Sequence, residues 1–186
     1  MRKMDFILPG HLFLTRGRGQ HQQKLVSFEL ALRDAGISPF NLVRVSSIFP
    51  PGCQLISRTE GLKRLKPGQI VFLVMSENST NEAHRQISAA IGLAIPEDNG
   101  QYGYLAEHEG FGETEREASA QAEELAAEML ATKLGRTYSR KNFSHGRENY
   151  YRISDKLTVK TRSISQIASG SKGLWTTTLA AAVFVV

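Results

Sequence analysis

The C-terminal stretch Leu174–Val186 constrains the fold more than any other part of the chain. It is an apolar run of about thirteen residues, against the roughly twenty that a membrane-spanning helix needs. Trp175, Thr176, Thr177, Thr178, Val183, Phe184 and Val185 are strand formers, so the run reads as a buried strand. Ile70–Met75 is wholly apolar and reads the same way. Such strands are covered on both faces, so the rest of the chain has to supply flanking layers.

Its punctuation suggests which elements do so. Apolar runs at 5–8 and 11–15 predict strands, followed by a polar Gly-rich turn, Arg16-Gly17-Arg18-Gly19. Leu25, Phe28, Leu32 and Ala35 are spaced as one face of a helix over 24–35, with Gly36 as its stop. Strands are expected at 40–48 and 54–57. Ser79-x-x-Glu82 is a capping box, and Ile87, Ala90, Ile91 and Ala94 follow at helical spacing, which predicts a helix ending before Pro96. Residues 101–108 read as a strand. Thr114-x-x-Glu117 is a second capping box, opening a long helix with Ala118, Ala122, Leu125, Met129 and Leu134 inward. Two closing strands, 156–167 and 174–186, are joined by a Ser169-Gly170-Ser171 turn. The chain has no internal repeat, and its 186 residues suit one domain, 1–186. The fold class is α+β, with about three helices and six to eight strands.

Charge narrows the partners. Net charge is +5, and Arg136, Arg140, Lys141, Arg147 and Arg152 against Glu148 place +4 of it in residues 136–152. That segment carries Tyr138, Phe143, Tyr150 and Tyr151 and could touch nucleic acid, but a basic, solvated surface loop accounts for it better. The single cysteine, Cys53, leaves no internal disulfide and fits a reducing compartment. The start of the chain is basic but broken by Pro9-Gly10, too short for a signal-peptide core, so a cytoplasmic protein is expected without a membrane partner.

Common catalytic patterns are missing. There is no Gly-x-Ser-x-Gly elbow, no phosphate-binding glycine loop and no His-x-x-x-His spacing. Five histidines leave a Ser-His-acid triad open but unsupported. In Glu107-His108-Glu109, strand alternation puts the imidazole on the face opposite both carboxylates, so no metal is expected there. The same alternation groups Glu107 with Leu105 and Gly103. A carboxyl group at the edge of an apolar face is held toward its protonated form, as a general acid requires. The bland alternative is a surface glutamate at a strand end.

Ser46-Ser47 stands where a strand meets Pro50-Pro51. The surrounding Asn41-Leu-Val-Arg-Val-Ser-Ser-Ile-Phe-Pro-Pro, preceded by Ala31-Leu-Arg-Asp-Ala-Gly-Ile, resembles the self-cleavage region of the pyruvoyl-dependent arginine decarboxylases. Ala89-Ala-Ile-Gly-Leu-Ala-Ile-Pro, Gly103-Tyr-Leu-Ala-Glu-His-Glu-Gly and Ala180-Ala-Ala-Val-Phe resemble the same family, in the same order.

The resemblance implies a four-layer αββα sandwich of the pyruvoyl-dependent histidine/arginine decarboxylase type. It implies that Ser47 Oγ attacks the Ser46 carbonyl, that the resulting ester eliminates, and that Ser47 becomes a covalent pyruvoyl group. A β chain (1–46) and an α chain (47–186) result, and neither pyridoxal phosphate nor metal is needed. Pro50 and Pro51, which restrict the backbone, help to hold a strained turn there. By the same resemblance the group would serve as an electron sink for an amino-acid substrate, with L-arginine giving agmatine and CO2 for polyamine synthesis as the expectation.

By the same resemblance Glu107 is the proton donor, Asn41 assists processing, and Glu29 takes the substrate guanidinium beside the new carboxyl terminus of Ser46. Glu29 stands where an aspartate is expected. Leu25 is a further candidate for the pocket wall. Asn41 and Ser47 lie roughly 20 Å apart if the strand is fully extended, so either it bends after Arg44 or Asn41 acts across a subunit boundary. The family's homotrimers, with interfacial active sites, suit the second option. The same cofactor on another amino acid, or an unprocessed assembly or binding paralogue, are the readings left open.

Overall fold

The computed structural model describes residues 7–135, 150–154 and 157–186. At its centre is β10 (Trp175–Val185), buried without interruption from Thr176 to Val185. Leu179, Ala181, Val183 and Val185 enter one core, and Ala180, Ala182 and Phe184 enter another on the opposite face. This is the two-sided burial that an unbroken apolar run requires.

The first sheet has the order β2 (Asn41–Arg44), β5 (Ile70–Thr80), β10, β1 (His11–His21) and β4 (Gln54–Leu55). The second runs β3 (Ile48–Phe49), β7 (Gly103–Phe111), β6 (Gln86–Ile95), β9 (Leu157–Ser169) and β8 (Tyr150–Ser154). Among the described residues there are three helices: α1 (Lys24–Ala35), α2 (Arg58–Lys63) and α3 (Glu115–Lys133). One core lies between α1 and the first sheet, around Phe13, Leu32, Leu73 and Leu179. A second lies between the sheets, around Leu12, Val74, Ile91, Leu93 and Leu105. A third joins α3 to the second sheet through Ala94, Ala106, Ala126 and Leu130. None of the described helices is long and apolar enough to cross a membrane.

Several expectations need correction. Residues 86–95 form a strand, not a helix. Ile91 and Leu93 face the other sheet while Ala90 and Ala94 face α3, so both sides are apolar and the helical spacing of the four residues carries no information. The expected cap at Ser79 belongs to the end of β5, and His84 (φ 63) turns the chain into β6. Arg16-Gly17-Arg18-Gly19 is the second half of β1, not a turn. A Cβ at Gly17 would overlap the Ala31 carbonyl and one at Gly19 the Ser27 carbonyl, so the glycines let α1 lie directly on the strand.

The helix ends were better predicted. Gly36 closes α1 in the left-handed conformation (φ 76). Thr114 and Glu117 form the reciprocal capping box of α3, with Glu117 N–H donating to Thr114 Oγ1 at 3.3 Å and Thr114 N–H to Glu117 Oε2 at 2.8 Å. That backbone bond, with the Thr114 hydroxyl, holds the Glu117 carboxyl below its usual range. Two residues expected inward are not: Leu25 is 77% exposed and Leu125 42%. The inner face of α3 is alanine-rich instead, which allows the helix to sit close to the sheet. The strand expected at 5–8 is not formed at Ile7 or Leu8, and α2 had no counterpart in the sequence reading. In the basic segment, 136–149 lies outside the described residues, and Tyr150–Arg152 belongs to β8.

Candidate active site

The strand expected over 40–48 is two strands in two different sheets. β2 is an edge strand of the first sheet and β3 an edge strand of the second. Val45 N–H donates to Leu73 O at 3.0 Å, still in the first sheet, whereas Ser47 O accepts Leu105 N–H at 2.9 Å in the second. The Ser46–Ser47 peptide bond is therefore the crossing between sheets. Ser46 is exposed and Ser47 half-buried. Ile48 N–H donates back to Ser46 O at 2.9 Å, closing a tight turn around Ser47.

Pro50-Pro51-Gly52-Cys53 forms the next turn, closed by Cys53 N–H to Pro50 O at 3.2 Å. Pro51 precedes Gly52 at φ 70, as a type II turn requires. Among the described residues the positive φ values here belong to glycine alone, so the strain expected at the prolines is not stored as an unfavourable φ.

Glu107 reaches this crossing from β7. It is in register with Ile91 and shares a face with Leu105, whose side chain is in the inter-sheet core. The alternation expected from sequence holds: Ala106, on the other side, packs against α3. Ser47 Oγ donates to Glu107 Oε2 at 3.0 Å. The Glu107 side chain is exposed within this chain, so the apolar surroundings expected for it are not supplied by its own sheet.

The other site residues are held elsewhere. Asn41 Nδ2 donates to Gly68 O at 2.7 Å. Glu29 Oε1 accepts Arg33 Nε at 3.0 Å across one turn of α1, with both side chains well exposed. The chain thus joins Ser47 to Glu107, while Asn41 and Glu29 have other partners.

Beside the crossing is an apolar cleft of about 390 Å³, lined by Leu8, Val45, Ile48, Pro50, Phe72 and Phe184 among others. Val45 and Ile48 flank the serines, and their side chains are more than a third exposed. Cys53 is buried in the neighbouring core, where desolvation pushes its thiol from 9.0 up to about 11. It is an inert packing residue.

Sequence reading missed the groups that brace β7. Ser76 Oγ donates to His108 O at 2.8 Å and Asn78 Nδ2 to Gly110 O at 3.0 Å, tying the first sheet to the strand that carries Glu107. His108 Nε2 lies 2.9 Å from Glu113 Oε1 on the α3 side, and Ser88 Oγ donates to the same carboxylate. Arg44, two residues before Ser46, pairs with Glu77. One signal was present: the polar Ser76–Thr80 tail of an otherwise apolar strand.

Comparison with known proteins bears on this geometry. The family model of the pyruvoyl-dependent arginine decarboxylases matches residues 11–186. The chain belongs to the pyruvoyl-dependent arginine decarboxylase family. It is 52% identical over 182 residues to the probable pyruvoyl-dependent arginine decarboxylase of Chlorobaculum tepidum, covering 98% of this chain and 99% of that one. It is 53% identical over 177 residues to the pyruvoyl-dependent arginine decarboxylase of Nitrosopumilus maritimus, covering 94% and 96%. With that of Methanococcoides burtonii it shares 50% identity over 179 residues, covering 96% and 99%. The family match begins at His11, the first residue of β1, so every strand and helix described above falls inside the pyruvoyl-dependent arginine decarboxylase region.

Proposed function

We propose that this chain cuts itself between Ser46 and Ser47 and then decarboxylates L-arginine to agmatine and CO2, using a pyruvoyl group made from Ser47. The observation that carries this reading is the 3.0 Å hydrogen bond from Ser47 Oγ to Glu107 Oε2. A carboxylate so placed can take the hydroxyl proton as Oγ attacks the Ser46 carbonyl. The proton passes to the Ser47 nitrogen as the C–N bond breaks, leaving an ester between Ser46 and Ser47 Oγ. Loss of the Ser47 Cα proton and of the Ser46 carboxylate then leaves a dehydroalanine, which takes up water and releases ammonia to give the ketone.

The residues also fit the finished group. Ser47 O, which survives the cut, keeps the Leu105 N–H that holds it at 2.9 Å. When present, the pyruvoyl group supplies a ketone that takes the substrate α-amine and withdraws electrons from the bond to the departing carboxylate. Glu107, within reach of Ser47, returns a proton to the substrate carbon. Glu29 pairs with the substrate guanidinium, displacing Arg33, and the new carboxylate of Ser46 adds negative charge for a cationic substrate. Relatives at half identity or more, named for arginine, support that choice.

The three cores support reading the α+β fold as a four-layer αββα sandwich. The active form in this reading is a homotrimer. Val43, Val45 and Ile48 are 37–40% exposed on and between the two edge strands where the serines cross, and Ile70, at the start of the adjoining β5, is 62% exposed. A neighbouring copy over that rim would exclude water from Glu107 and bring Asn41 or Glu29 to the site. A cytoplasmic location suits the single buried thiol.

The test is the intact mass of the purified protein together with agmatine release from arginine. Two fragments ending at Ser46 and beginning at a pyruvoyl-blocked residue 47, with agmatine formed, are expected. A single uncut chain without activity would sink the proposal.

A further inference from the structure

Cutting at Ser46–Ser47 puts negative charge on the Ser46 carbonyl oxygen as Ser47 Oγ bonds to its carbon. A donor within hydrogen-bond reach of that oxygen lowers the barrier. Asn41, to which the resemblance gives a part in processing, donates its amide to Gly68 O at 2.7 Å. Among the described residues, the donor on the Ser46 oxygen is the Ile48 backbone N–H, at 2.9 Å.

We propose that the Ile48 N–H is the oxyanion donor for self-cleavage. The inference rests on the reading of Ser46–Ser47 as the bond that is cut, and adds a catalytic group to it.

Three observations support it. First, the turn from Ser46 O to Ile48 N–H spans only Ser47, so nucleophile, attacked carbonyl and donor are carried by three consecutive residues. Second, the donor is held in place from both sides. Ser47 O accepts the Leu105 N–H at 2.9 Å, and Ile48 is in register with Tyr104 while Phe49 is in register with Gly103. Third, the Ile48 side chain lines the apolar cleft with Val45 and Phe72, so one side of the turn faces hydrocarbon. A hydrogen bond to developing charge is stronger in such surroundings than in water.

The step balances within the chain. The Ser47 Oγ–Ser46 C bond forms, the Ser46 C–Ser47 N bond breaks, and the hydroxyl proton travels through Glu107 to the departing nitrogen. The Ile48 N–H keeps its proton throughout.

Newly made protein from cell-free translation provides a zero time for cutting, followed by intact mass. Three chains are compared: the wild type, Ile48→Pro, and one with the α-hydroxy analogue of isoleucine at 48. That analogue replaces the N–H by oxygen and keeps the side chain. The wild type is expected to cut, and the two chains without the N–H to cut about 10²-fold more slowly. Because proline also restricts the backbone, the α-hydroxy chain decides. If it cuts at the wild-type rate, the proposal is overturned, even when Ile48→Pro stays whole. A wild type that never cuts removes the underlying reading as well, and is distinguished by that control alone.

Discussion

Ser47 Oγ and Glu107 Oε2, sixty positions apart in sequence, meet at 3.0 Å where the chain passes from one sheet to the other. The contact exists because β3 pairs with β7, placing Ile48 opposite Tyr104 and Phe49 opposite Gly103. In the proposed reading, one carboxylate would serve the hydroxyl that starts the cut and, after it, the carbon attached at the same position.

Glu107→Gln should therefore slow two reactions, not one. Glutamine can accept the hydroxyl hydrogen bond but cannot take its proton. Cutting and agmatine formation should each fall by about 10²-fold or more. Cutting is read by intact mass, and decarboxylation on whatever fraction has been cut. Wild-type rates in both would remove Glu107 from the chemistry.

Glu29→Ala separates binding from processing. Loss of a paired hydrogen bond to a guanidinium should raise KM for arginine by about ten-fold or more, with a smaller effect on kcat. Cutting should proceed normally, because Glu29 contacts Arg33 and not the serines. An unchanged KM would place the guanidinium elsewhere.

The two fragments should stay together after the cut. Residues 1–46 contain β1, which pairs with β10 from His11↔Val185 to His21↔Trp175, and β2, which pairs with β5. α1 also buries Ala31, Leu32 and Ala35 in the first core. Size exclusion under native conditions should give one species, and denaturing electrophoresis two bands. Separate native peaks would contradict the pairing argument.

Gly92→Ala should destabilise the second sheet. A Cβ there would overlap the Ala122 carbonyl of α3, so the helix has to move away from β6. The cost should be about 1–3 kcal/mol, read as a lower urea midpoint. A midpoint equal to that of the wild type would mean that α3 yields without cost.

Cys53 adds a pH dependence on the alkaline side. Its folded thiol ionises at about 11 and the exposed thiol at about 9. The folded state then binds more protons between those values, so the Cys53 contribution is intact below pH 9 and is lost as pH rises toward 11. Cys53→Ala should show a shallower fall in urea midpoint over that range. Parallel profiles would show that the thiol is not desolvated in solution.

Local signals were legible where local physics decides. Gly36 and the Thr114–Glu117 box were read correctly because a helix end is settled within a few residues. The grouping of Glu107 with Leu105 was legible because strand alternation has a period of two. Errors fell where both faces are buried or a glycine serves packing. Ile87–Ala94 carries apolar residues on both faces, and Gly17 and Gly19 look like a turn until α1 is placed over them.

By itself, the sequence determined the Gly36 end of α1 and the Thr114 start of α3, the buried character of β10 and of β5 between Val71 and Met75, and, through ordered motifs, the family to which the chain belongs. Only the tertiary structure decided that the strand over 40–48 is broken and that its break is the bridge between two sheets. It alone assigned Ser47 to Glu107, Asn41 to Gly68, and the Ser46 carbonyl to Ile48 N–H. The reason is that pairing between edge strands and distant partners depends on which sheet each strand joins, and no local pattern of side chains encodes that choice.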